Sequence, residues 1–243
     1  MTKTAQLQTS WQDKKFTSRS ESGQNISHAV MMRKHDRAKD KLEFFPTPPW
    51  ATRLFLSTVT HDGSVGTLKY ASVGEVCCGE GHMSRVISEF CPNVQSSDVF
   101  DYGFGEVHDF ADYEPLKHNA YHWDWIITNP PFSRAEEIVS HGLRLVEKGV
   151  MILVRSTFTE TIGRYERLFM TLPPTYIYQY SERVPMVEGR VLKSASTATA
   201  YFWLIWAKSH MLVHKDTRFR WLAPGRKNYE RESDYVRRRV KKS

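Results

Sequence analysis

The chain has only three cysteines, and two of them, Cys77 and Cys78, are adjacent. That number and spacing support neither a disulfide framework nor a thiolate metal site, so no metal is expected. Long apolar runs are missing as well. The stretch TATAYFWLIWAK, 197–208, falls short of the roughly eighteen residues that cross a bilayer. The opening residues, MTKTAQLQTSWQDKKF, hold no apolar segment of the kind a secretory leader carries. No Walker A lysine follows a glycine loop, which sets aside a nucleoside triphosphate site. These absences lead us to expect a soluble, cytoplasmic protein of a reducing compartment.

What remains is enough for a folded body. The 243 residues suit one domain with appendages, and 40% apolar content with seven tryptophans supplies a core. The formal charge is +7, and its placement matters more than its size. Residues 1–41 hold nine Lys and Arg against four Asp and Glu, and residues 226–243 hold eight against three. The middle of the chain is therefore mildly acidic, flanked by two basic ends. Such ends suit a polyanion such as nucleic acid, or serve as solubilising tails. The expected organisation is a basic, largely disordered arm over 1–41, a domain over 42–208 and a basic extension over 209–243.

Periodicity predicts strands at 71–78, 93–100, 124–128, 149–155, 175–180 and 197–208, with at most a short one near Val107. One helix is predicted within 42–59, another after the glycine turn that opens 79–90, and others over about 133–147 and 159–171. Pro48 and Pro49 suit a first helical turn. Strands alternating with helices, then two strands with no obvious helix between them, indicate an α/β fold. Its sheet is mostly parallel, with an antiparallel hairpin at the edge. In open sheets of this kind ligands sit beyond the carboxyl ends of the strands, and the chemically suggestive residues fall there.

Three signals stand out. Glu75-Val76-Cys77-Cys78-Gly79-Glu80-Gly81 follows the first strand, and its two glycines permit a tight turn and close approach of a ligand to the backbone. Ser84 stands where a dinucleotide fingerprint has its third glycine, which argues against a pyrophosphate cofactor. The second signal is acidic. Asp98 can accept from ribose hydroxyls, and the pair Asp109-Phe110 can hold an adenine by its amino edge and its face; both also read as ordinary turn residues. The third is Asn129-Pro130-Pro131-Phe132 at the end of WDWIIT. The Asn129 side-chain oxygen and the Pro130 carbonyl could accept the two N–H groups of an amine conjugated to a ring, drawing it toward tetrahedral geometry. The prolines hold these acceptors rigid, and Phe132 offers a stacking face.

On these residues the sequence, from about Phe44 to Lys208, resembles the S-adenosylmethionine-dependent amino-methyltransferases, in particular a phage and prophage group of DNA adenine N6-methyltransferases. Phe45-Pro46-Thr47-Pro48 resembles the group's opening motif, which implies contact with the methionine end of the cofactor. Glu75 to Gly81, Cys77 included, matches the cofactor loop, although Val76 replaces the usual proline. Asp98 matches the ribose acid, Asp109 and Phe110 the adenine pair, and Asn129, Pro130, Pro131 and Phe132 the catalytic motif. The resemblance implies a Rossmann-like class I methyltransferase sheet with helices on both faces, S-adenosylmethionine as methyl donor, and a base that is flipped or single-stranded. Arg155 and Arg183 are candidates for substrate phosphates, with Arg164 and Arg190 behind them. RNA bases or a protein glutamine remain as alternative acceptors. A non-catalytic nucleic-acid-binding module is a further alternative, against which the intact motif argues.

Overall fold

The structure is a computed structural model that describes residues 43–116, 121–194, 197–212 and 216–235. The arm expected over 1–41 and the basic tail beyond residue 235 lie outside the described residues.

Eight strands form one sheet in the order β3-β2-β1-β4-β5-β7-β6-β8. They are β1 (Ser72–Glu75), β2 (Asn93–Asp98), β3 (Glu106–Val107), β4 (Trp123–Thr128), β5 (Val146–Arg155), β6 (Tyr176–Tyr180), β7 (Tyr201–Ala207) and β8 (Arg218–Leu222). The first five run parallel, while β7 is antiparallel to both of its neighbours, β5 and β6. The expected antiparallel pair is present one place in from the edge, because β8 pairs in parallel with β6. Residues 209–235 are thus partly built into the sheet.

Three helices cover the sheet: α1 (Pro49–His61), α2 (His82–Phe90) and α3 (Ala135–Leu145). α1 starts on Pro49, whose missing N–H costs nothing in a first turn. Trp50, Leu54, Phe55 and Val59 of α1 pack with Met83 and Ile87 of α2 on one face, over Trp125, Ile127, Met151, Leu153 and Trp203. Ile138, Val139 and Leu143 of α3 cover the other face, over Ile126, Val150, Ile152 and Leu204. The strands alternate between these two cores because successive side chains point to opposite faces. The long helix expected over 159–171 is instead a set of short turns, Ser156–Thr159, Ile162–Arg164 and Tyr165–Phe169, the last with π-type bonding.

Buried Arg53 on α1 fixes the end of the described chain. Its guanidinium pairs with Glu89 of α2 at 2.8 Å and Asp234 at 3.2 Å, and it donates to the Tyr229 carbonyl. Removing either acid would leave a buried cation short of a partner, which is costly.

The sheet order brings the carboxyl ends of β1, β2 and β4 side by side. The segment 44–48 lies across that end before the chain enters α1.

Candidate active site

The glycine loop leaves β1 at Glu75, whose side chain is buried. Ser84 Oγ donates to one carboxyl oxygen at 2.7 Å and Thr128 Oγ1 to the other at 3.1 Å. Burial pushes this carboxyl up to about 8, against those hydrogen bonds. Gly79 and Gly81 have φ of +49° and +78°, conformations that disfavour a side chain. Gly79 N–H donates to Asp98 at 2.9 Å, and Phe100 N–H to its other oxygen at 3.1 Å. Asp98 is also raised, first by burial. Two acids, Glu75 buried and Asp98 half-buried, thus stand at the adjoining ends of β1 and β2, where a cationic ligand would favour their charged forms. Burial pushes the Cys77 and Cys78 thiols up, so neither is an activated nucleophile.

The sign of the resulting pH dependence is fixed. The folded protein holds the Glu75 proton up to about 8, while an unfolded chain loses it near 4.5. Between those values the folded state binds more protons, so this group's contribution to stability falls as pH rises. Denaturant unfolding of wild type and Glu75→Gln at several pH values should show this downward slope in the difference between them, since His82 and His141, lowered by burial, slope the other way in both.

Aromatic rings wall the glycine loop. A Cβ on Gly79 would lie 2.4 Å from the Phe44 ring, and one on Gly81 2.5 Å from Phe104. Phe44 stacks on Tyr102 with centroids 4.5 Å apart, and Phe100 meets Tyr102 edge-on at 4.8 Å. Sequence reasoning missed this wall. Its signal was the run Phe-Asp-Tyr-Gly-Phe-Gly at 100–105, aromatics interleaved with glycines.

The adenine pair needs correcting in part. The Phe110 ring is 2% exposed and packs edge-on against His141 of α3, so the face expected for a base is turned into the core. Asp109 commits one oxygen to Arg134 at 2.9 Å and to the Ala111 amide at 3.0 Å. The rings beside the glycine loop are instead those of half-buried Phe44 and Tyr102.

At the end of β4, Asn129 is tied to the strap that precedes α1. Its Nδ2 donates to the Phe45 carbonyl at 2.8 Å and to Thr47 Oγ1 at 3.1 Å. Both amide hydrogens therefore have acceptors, which turns Oδ1 outward as the acceptor. The segment Phe45-Pro46-Thr47, expected to contact the cofactor, orients Asn129 in the structure. Thr47 and Pro46 are buried, so the holder is itself held. The Pro131 carbonyl receives Arg134 N–H at 2.9 Å, beginning the turn into α3.

Phe132 lies 6.4 Å from Phe45, centroid to centroid. The Arg155 guanidinium, at the carboxyl end of β5, sits 4.1 Å from the Phe132 centroid and 5.2 Å from that of Phe45. Its buried Nε finds no hydrogen-bond partner among the described residues. Across the β5–β7 ladder Arg155 faces Tyr201, which is buried. Arg155 thus joins Asn129, Phe45 and Phe132. Arg183 does not: it donates to the Ala198 carbonyl at 2.7 Å and helps line a cavity of about 190 Å³ with Gln179, Tyr180, Glu182 and Tyr201. Arg164 is engaged by Glu136 and the Phe158 carbonyl.

No protein-family model matches the chain, and no curated protein matches it in sequence. Solved structures do. A protein from Pyrococcus horikoshii, provisionally assigned as an RNA methyltransferase, superposes with a TM-score of 0.50 at 15% identity, over 85% of this chain and 98% of its own. A modification subunit from Vibrio vulnificus YJ016, of an enzyme provisionally assigned as type I restriction, gives a TM-score of 0.48 at 12% identity. It is matched over 86% of this chain and 53% of its own, so the chain spans about half of that protein's length. At such identities the likeness is one of fold. The fold is Rossmann-like, of the class I methyltransferase type.

Proposed function

We propose that this chain is an S-adenosylmethionine-dependent N-methyltransferase whose acceptor is an exocyclic amine, adenine N6 in DNA. The observation that carries the reading is the Asn129 amide, oriented by Phe45 and Thr47 so that Oδ1 is presented at a strand end beside the glycine loop.

The residues fit such a donor. Gly79 and Gly81 give the loop a turn that disfavours bulkier residues, Phe44, Tyr102 and Phe104 line it with aromatic rings, and Glu75 and Asp98 stand as acids at the adjoining ends of β1 and β2. S-adenosylmethionine, when bound, supplies the methyl group on a sulfonium. Asn129 Oδ1 and the Pro130 carbonyl then accept the two N–H groups of the target amine. With the donor bound, the lone pair of that nitrogen would be freed from conjugation with the ring and directed at the sulfonium methyl, the C–S electron pair would stay on sulfur, and the proton released from the nitrogen would pass to solvent water. The rate gain comes from alignment and from acceptors fixed in advance, not from a titrating base. Phe132 and Arg155 stand at the mouth as a stacked ring and cation, suited to a base and its phosphate.

The test is transfer of labelled methyl from S-adenosylmethionine to double-stranded DNA, single-stranded DNA, RNA and protein extract in parallel. Label in DNA supports the reading. Label in RNA or protein alone replaces the acceptor, and no label on any polymer by a protein that binds the cofactor contradicts it. Thr47→Val should lower kcat by about tenfold with little change in KM for the acceptor, since it loosens Asn129 rather than removing it. Thr47→Ser, which retains the hydroxyl, should restore most of the rate.

A further inference from the structure

β8 contributes little to the core: of its five side chains only Leu222 is buried. Alternation puts Arg218 and Arg220 on one face and Phe219 and Trp221 on the other. Arg220 pairs with Asp62 at 2.7 Å over the Tyr176 ring. On the opposite face the register sets Phe219 beside Ile177 and Trp221 beside Gln179, with Gln179 beside Phe202 of β7. Phe202 and Phe219 are 6.2 Å apart and Phe219 and Trp221 4.8 Å, each pair edge-on. Trp221 is 68% exposed and Phe219 45%, an exposed aromatic shelf that the core does not require.

We infer that Phe202, Phe219 and Trp221 form a stacking platform for the unpaired bases of a single-stranded nucleic acid, a few nucleotides from the base that enters the site. The inference rests on the proposed function and deepens it by naming the form of the substrate. Position is the first argument. Gln179, the ladder partner of Trp221, lines the cavity that also includes Tyr201, and Tyr201 is the ladder partner of Arg155. Platform, cavity and Asn129 therefore follow one another along a single end of the sheet. From β8 through β6, β7 and β5 to β4 is four strand spacings, roughly 19 Å. A strand of a few nucleotides covers that distance.

Chemistry is the second argument. Exposed flat rings bind unpaired bases without regard to sequence, whereas a duplex hides its base faces. The chain's net charge of +7, carried by its two basic ends, suits a polyanion. A second copy is a poorer occupant: pairing through β8 would bring the arginines of both edge strands together, a pattern that resists edge-to-edge association.

The experiment compares the full-length protein with Trp221→Ala and with Phe219→Ala/Trp221→Ala, changes on an exposed face whose folding is checked by circular dichroism. Anisotropy of labelled twenty-nucleotide probes, as single-stranded DNA, the same DNA in duplex, and single-stranded RNA, is read at one fixed salt concentration. Trp221→Ala should weaken binding of the single-stranded probes by about 5- to 100-fold and leave duplex binding nearly unchanged. A loss confined to DNA or to RNA supports the platform and identifies its source. Unchanged affinity for both single strands, or equal loss on duplex, overturns it. So does sedimentation showing that the variant only converts a dimer to a monomer. Binding is read without methyl transfer, so a Trp221-dependent single-strand complex in a protein that methylates nothing would count against the proposed function alone.

Discussion

Asn129→Ala should reduce methyl transfer by about 10²- to 10³-fold in kcat while the dissociation constant for S-adenosylmethionine hardly changes. The size of the effect follows from where the interaction acts. An amine conjugated to a purine is nearly planar and a poor nucleophile. An acceptor fixed in advance near its N–H groups strengthens its hold as the nitrogen becomes tetrahedral and positive, so it stabilises the transition state more than the bound ground state. The loss therefore falls on kcat. Alanine also leaves the Phe45 carbonyl and Thr47 Oγ1 without the donor they share, a stability cost of about 1 kcal/mol. Asn129→Asp is the informative companion. It keeps an oxygen facing the substrate but puts a second oxygen where the strap needs a donor, so it should be nearly as inactive. Single-turnover transfer together with calorimetric cofactor binding separates these effects. A variant with weakened cofactor binding and intact turnover would assign Asn129 to the wrong partner.

Gly79→Val is expected to raise the dissociation constant for the cofactor by about a hundredfold, equivalent to about 2.7 kcal/mol. Two costs combine. A β-branched residue at a φ of +49° is strained, and a left-handed residue costs roughly 1–2 kcal/mol. In addition, a Cβ there meets the Phe44 ring at 2.4 Å, so the ring must leave its stack on Tyr102. The strap carrying Phe44 is the one whose next carbonyl orients Asn129, so the damage should spread from affinity to turnover. Equilibrium binding and single-turnover rates measured on the same preparation would show whether both move. A change in affinity with full turnover would mean that the strap yields locally and does not couple the two halves of the site.

From α1 to β5 most of the sequence reads plainly because β4 and β5 are apolar runs buried on both faces and each helix shows one apolar stripe. Asp98 falls at its strand end as expected, Asn129 lies just beyond its own, and Gly79 and Gly81 form the intervening turn. β8 was hidden because Arg218-Phe219-Arg220-Trp221 is the pattern of a half-exposed edge strand inside a stretch whose charge drew attention first. The helix expected near 159–171 breaks into short turns because most of its apolar side chains, Ile162, Tyr165 and Met170 among them, are exposed and bury no continuous stripe. Phe110 shows another limit. An aromatic after an acid reads equally as a stacking face or as a core side chain, and only its packing against His141 decides. The strap's hold on Asn129 spans more than eighty positions of sequence, a contact that local pattern does not encode.

The central claim is that this site delivers a methyl group to an exocyclic amine held by Asn129. The most direct measurement is the position of the label in the product: a methylated oligonucleotide digested to nucleosides and resolved by mass spectrometry, for the wild type and Asn129→Ala. The account predicts N6-methyladenosine or its deoxy form from the wild type, and its loss from the variant. Label on a ring nitrogen, a carbon or the sugar, or N6 label that survives in Asn129→Ala, would contradict it.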